Sequence, residues 1–213
     1  MKGIMFGNYH SWTDLHLILN KKEIGSPAVK EDEIEVEGAD SNLDLTEFFG
    51  EPKYNNVIHK FDFSTIERNS LSLFSNIKNA LHGKKVRIIL DEDPGFYYVG
   101  RLHVSPYTNE KGIGSLTIEA NCEPYKYKLE KTVVQATIAD SATVTLTNSR
   151  KRAVPEVVIQ TEGSIRVEYL GTNIWDLGSG SFTLPELELM EGENLVTVTG
   201  TGNITFTWQE GGL

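Results

Sequence analysis

Cysteine is nearly absent from this chain of 213 residues: Cys122 stands alone. A single thiol excludes an intrachain disulfide and a thiolate metal cluster, and a buried structural role is the expectation for it. Positive charge is also scarce. Lys and Arg number 20 against 30 Asp and Glu, giving a net charge of −10 and a pI near 5.0, which opposes recognition of a phosphate backbone by a broad basic surface. No apolar run approaches the ~20 residues of a membrane helix. The opening MKGIMFGNYHSW is too short in its apolar part for a signal peptide, so synthesis in the cytoplasm is expected. The five histidines, His10, His16, His59, His82 and His103, show no HxH or HExxH spacing. There is no G-x-S-x-G elbow either. Neither a metal site nor a cofactor nor a hydrolase triad is predicted, and the chain reads as a non-enzyme.

What the sequence does contain is strand signal, with one helix. Leu15, Leu17 and Leu19 alternate with polar residues in SWTDLHLIL, as do Val57, His59, Phe61 and Phe63 in NVIHKFDF, the period of half-buried strands. Between them run about 35 residues, 20–56, with little periodicity beyond EIEVE. A loop that long in a compact domain is usually functional or reaches for a neighbour. A helix is predicted over Asn69–His82, with Leu71, Phe74, Ile77, Lys78 and Leu81 on a 3.6-residue period. Asn69 or Ser70 can cap its start and Gly83 its end. VRIIL, the DEDPG turn, FYYVGRLHV and GIGSLTIEA follow as a meander. Beyond CEPYKY the helix period vanishes. Eight short strand-like runs from TVVQATI to NITFTW recur at the spacing of an all-β sandwich. The fold class is mainly β, an α+β N-terminal domain (1–128) with one helix on antiparallel sheets and a C-terminal β-sandwich (129–213).

Residues that could carry chemistry have plainer explanations. Asp91 and Asp93 resemble a DxD cation motif, yet no βαβ series surrounds them, and Asp with Pro-Gly suits a tight turn on backbone grounds. The pairs Glu31/Glu33 and Glu186/Glu188 fit solvated strand faces better than glycosidase acids. Trp175 and Trp208 could stack on sugar rings, but aromatics on short strands are more often core residues.

The order of these features resembles a known family. GIMFGNYHSWTDLHLIL, the segment PAVKEDEIEVEGADSNLDLTEFFGEPKYNNVIHKFDF, the helix, and VRIILDEDPGFYYVGRL are similar in sequence order to the distal tail protein (Dit) of siphophages and their prophages. The second half, ending in NITFTWQEGGL, is similar to that family's galectin-like β-sandwich. The resemblance implies a virion structural protein at the phage tail tip, forming a homo-hexameric ring. That ring would join the tail tube protein and the tape measure end to a tail fibre or tail-associated lysin, with receptor-binding proteins as further partners and DNA only passing through its lumen. It also gives segment 20–56 a purpose, reaching along a neighbouring subunit with Ile34, Val36, Phe48, Phe49 and Tyr54 at the interface. A carbohydrate-binding module for host cell-wall glycans is the alternative, disfavoured because no His-Asn-x-Arg set accompanies Trp208.

Overall fold

The computed structural model describes residues 2–48, 50–67 and 70–213, with Ser70 described by its backbone alone. The chain divides between Lys126 and Tyr127, two residues before the break expected from the sequence. Those two residues belong to the second unit by their bonds. The Lys128 N–H donates to the Glu210 carbonyl at 3.1 Å, and the Lys151 ammonium lies 4.8 Å over the Tyr127 ring.

The first unit contains β1 (Ile4–Phe6), β2 (Tyr9–His10), β3 (Ile18–Glu23), β4 (Glu33–Ile34), β5 (Leu43–Asp44) and β6 (Val57–Thr65). It continues with helix α1 (Ser70–Leu81), β7 (Lys85–Leu90), β8 (Phe96–Val104), β9 (Thr108–Glu110) and β10 (Ile113–Cys122). Its main sheet runs β2-β1-β7-β8-β10-β6-β3, with β9 paired to β10. The pairings along it are antiparallel. Period-2 patterning decides which face is buried. Val57, Phe61 and Phe63 of β6 stand opposite Cys122, Ile118 and Leu116 of β10, and all six are buried. Phe6 meets the edges of Phe61 and Phe63 at 5.7 and 6.2 Å between ring centroids, a favourable quadrupole arrangement. Gly100 on β8 is needed for this packing: a Cβ there would lie 2.5 Å from the Cys122 sulfur.

SWTDLHLIL does not form the expected strand. Leu15 and Leu17 are buried, but residues 11–15 form a turn, His16 takes a φ of 52°, and β3 starts only at Ile18. Leu17 donates its N–H to the Ser11 carbonyl at 2.8 Å, so the turn is closed by its own backbone.

The predicted helix forms, but of its five periodic residues Leu71 and Lys78 are exposed. Ile77 and Leu81 are buried, and Leu73, Phe74 and Ala80 pack against the same core. Phe74 stacks on Tyr107, centroids 5.4 Å apart. Leu71 is 69% exposed. It lies six residues before Ile77, about 120° around the helix at 100° per residue, which turns it to solvent. Gly83 ends the helix at φ 77°, a conformation that favours glycine at this position. The proposed cap at Asn69, and any cap from the Ser70 side chain, lie outside the described residues.

The second unit begins within β11 (Lys126–Lys128). It contains β12 (Thr132–Ile138), β13 (Ser141–Asn148), β14 (Glu156–Gln160), β15 (Ile165–Tyr169), β16 (Asn173–Leu177), β17 (Gly180–Thr183), β18 (Gly192–Gly200), β19 (Gly202–Trp208) and β20 (Gly211–Gly212). Two four-stranded sheets, β12-β19-β14-β17 and β13-β18-β15-β16, form the sandwich. Val157, Val167, Val196, Val198 and Phe206 are fully buried in its core. The predicted run SFTLPELEL is a strand only over its first part. After Thr183 the chain turns through Pro185, yet Leu184, Leu187 and Leu189 remain buried. Asn194 organises that corner. Its amide donates to the Met190 carbonyl at 2.9 Å and accepts from the Tyr169 hydroxyl at 2.9 Å. No described helix is long and apolar enough to cross a membrane.

Candidate assembly surface

Segment 20–56 has more order than its sequence suggests. Its first residues complete β3, and β4 and β5 form a small hairpin with Glu33 opposite Asp44 and Ile34 opposite Leu43. The Leu45 N–H donates to the Asp32 carbonyl at 2.7 Å, and the Asp32 N–H to the Thr46 hydroxyl at 3.1 Å. At the root, Val29 bridges Tyr54, while Lys30 and Asn55 donate their N–H groups to Lys53 and Ala28 at 2.7 and 2.8 Å. Asp44 receives the Thr46 N–H at 2.8 Å. The Thr46 hydroxyl and N–H hold its carboxyl below the usual carboxylate range.

The five residues expected at an interface divide accordingly. Ile34, Val36 and Phe48 are exposed, at 49%, 44% and 72%. Tyr54 is half-buried and meets the Tyr125 ring edge-on at 6.0 Å. Phe49 lies outside the described residues. Sequence reasoning missed Leu43, which sits directly across from Ile34 and is equally exposed; its signal was the LDL alternation that the EIEVE run needs as a partner. From Glu31 to Glu51 the segment carries nine acidic residues and no basic one. The result is an apolar cross-strand pair on a strongly acidic hairpin.

The acidic turn before β8 is engaged elsewhere. Asp91 accepts the Gly3 N–H at 2.6 Å and pairs with His10 Nε2 at 3.1 Å. Burial raises its pKa, but these bonds outweigh burial and leave it lowered. Glu92 pairs with Lys22, and Asp93 with Lys126 at 3.1 Å. Three carboxylates with three different partners form a hairpin turn, not a converging ligand set.

The tryptophans are placed as structural residues. Trp208 is buried and donates its indole N–H to Asn148 Oδ1 at 3.1 Å, and Trp175 packs partly buried on the sandwich core. Beside them is a group that sequence reasoning did not find. Glu210 is buried and bonded by Lys128, Thr132 and Ser149. Burial pushes its pKa up, but the Lys128, Ser149 and Thr132 bonds prevail and hold it low. A cavity of about 690 Å³ opens near Thr161 and Ser179. Two of its hydroxyls are spent internally, Thr161 on the Thr201 carbonyl and Ser179 on the Thr161 carbonyl, both at 2.6 Å.

No protein-family model matches the chain, and no curated protein matches it. Among solved structures, SPP1 Dit (gp 19.1), the hub adsorption apparatus paradigm of phages infecting Gram-positive bacteria, superposes with a TM-score of 0.71. That likeness spans 98% of this chain and 99% of the other, at 15% identity. The fold is that of a siphophage distal tail protein. A looser likeness joins it to the phage p2 baseplate in its activated conformation with Sr, at 8% identity, coverage of 97% and 98%, and a TM-score of 0.44. Within the distal tail protein fold, the acidic β4–β5 hairpin belongs to the N-terminal unit, and Trp175 and Trp208 to the sandwich.

Proposed function

We propose that this protein is a structural adaptor at the tip of a long non-contractile phage tail. It closes as a homo-hexameric ring and joins the tail tube protein and tape measure end to the tail fibre or tail-associated lysin. It acts without catalysis. The observation that carries this reading is the fold likeness across both units to SPP1 Dit, a hub adsorption protein, over nearly the full length of each chain. The hairpin supports it independently. Ile34, Val36, Leu43 and Phe48 present apolar surface where a closed ring offers a repeated heterologous contact to each neighbour. A carbohydrate-binding role has less support, because Trp208 is committed to Asn148 inside the sandwich. Receptor-binding proteins would attach through the sandwich, and the protein would reside in the virion after synthesis in the bacterial cytoplasm.

The test is co-expression with the tail tube and tail fibre proteins of the same phage, followed by electron microscopy. A ring at the tube end supports the adaptor. A protein that stays dispersed while the other tail parts assemble contradicts it.

A further inference from the structure

At the root of the acidic hairpin segment, Gly25 and His59 meet. Gly25 follows β3 and lies against β6 so closely that a Cβ would sit 2.7 Å from the Ile58 carbonyl oxygen and 2.7 Å from Val57 Cγ2. Its N–H donates to Nδ1 of His59 at 3.2 Å. His59 itself is 1% exposed, and its other nitrogen, Nε2, is buried and has no hydrogen-bond partner among the described residues. An imidazole nitrogen that accepts an N–H bond carries a lone pair, so the proton of the neutral ring is on Nε2.

We propose that the Gly25–His59 contact is an acid-sensitive lock on the root of residues 24–30, opened when the imidazole takes a proton at Nδ1. Protonation puts a second N–H where the acceptor was, and two donors then face each other across 3.2 Å. The Gly25 amide must leave, and no Cβ at residue 25 anchors the chain there. Burial disfavours the charged ring, which sets the opening below the ordinary histidine range. Ala120 stands opposite His59 on β10 and carries no charge. From β8 the ring of Tyr98 meets the imidazole edge-on at 4.6 Å. Burial raises the Tyr98 pKa, Lys126 lowers it and Asp93 raises it. Glu23, Lys60 and Glu119 occupy positions next to His59 in the ladders but are on alternate, outward positions of their strands. Burial lowers the pKa of His59, in keeping with a ring held neutral.

Downstream of this root, the Ala28–Asn55 and Lys30–Lys53 bonds continue the attachment. Opening the lock lets residues 24–30 swing from β6, whatever the hairpin beyond binds. The inference therefore stands or falls apart from the ring.

The experiment uses the full chain. Nuclear magnetic resonance follows the His59 ring nitrogens and the Gly25 amide as pH is lowered from about 7.5 to about 5. We expect an Nε2–H tautomer at the higher pH, a Gly25 amide shift that titrates with His59, and about tenfold loss of Gly25 exchange protection after correction for intrinsic rates. His59→Gln keeps an acceptor that does not titrate and should hold protection constant, while His103→Gln should behave as the parent. A His59 ring protonated on Nδ1 at the higher pH overturns the proposal. So does a Gly25 amide indifferent to the His59 titration, or equal acid loss in the His59→Gln chain. Should His59→Gln fail to fold, the ring and amide titrations of the unaltered protein decide alone.

Discussion

Trp208 and Asn148 are joined inside the sandwich, the indole N–H donating to Oδ1 at 3.1 Å while the Asn148 amide donates to the carbonyls of Lys151 and Leu189 at 2.9 and 3.2 Å. The large apolar ring and the polar link act together. Trp208→Ala should cost about 3–5 kcal/mol. Trp208→Phe keeps most of the volume but leaves Oδ1 unpaired, costing about 1–3 kcal/mol. Urea unfolding followed by circular dichroism measures both. A Phe variant as stable as the parent would mean the link contributes nothing.

Two leucine-like positions on α1 should separate cleanly. Ile77→Ala removes a buried side chain and should lower stability by about 2–5 kcal/mol. Leu71→Ala, on the exposed side, should stay within about 0.5 kcal/mol of the parent. Equal losses would place both on the core and contradict the helix orientation.

Cys122 should be inert. Burial beneath Gly100 pushes its thiol up to about 12, so little thiolate exists at neutral pH. Iodoacetamide should leave the folded protein unlabelled and label it in urea. Gly100→Ala, which forces a Cβ against the Cys122 sulfur and the Asn121 carbonyl, should cost about 1–3 kcal/mol by overpacking.

Acid should weaken the two units in sequence. All five histidines fall in the first unit. The pKa of His59 is lowered in the fold by burial, so its contribution is present above the ordinary value of about 6.5 and is lost as pH falls below it toward the folded value. Glu210 is also held low, and its contribution is present above about 4.5 and lost as pH falls through its folded value. Hydrogen exchange resolved by unit should therefore show the first unit loosening before the sandwich. Simultaneous loosening would contradict the assignment.

Much of this architecture was legible because its strands are short, two-faced and separated by turn residues. Each of the eight predicted sandwich runs contains a strand, and Val57–Thr65 appears on the expected face. Elsewhere the same patterns misled. Leu15 and Leu17 alternate and are buried, yet a turn with His16 at positive φ presents them. Leu184, Leu187 and Leu189 continue the burial of β17 without continuing its strand. Glu210 shows why polar cores are hard to read: Lys128, Thr132 and Ser149 meet it only through tertiary pairing, at separations of 61 to 82 residues. At the assembly surface, Ile34 and Val36 were legible as apolar residues in an acidic run. Leu43 gained meaning only from its register with Ile34.

Ring formation is the central claim, and solution mass tests it most directly. Light scattering should be run on the full chain over a range of concentrations, alone and with the tail tube and fibre proteins, beside an Ile34→Asp/Phe48→Asp variant. The account predicts a particle of six times the 23.8 kDa chain mass, formed alone or on adding a partner. Because the copies carry like charge, added salt should leave it intact or tighten it, and the double variant should not form it. A protein that remains strictly monomeric at high concentration with both partners present would contradict the account.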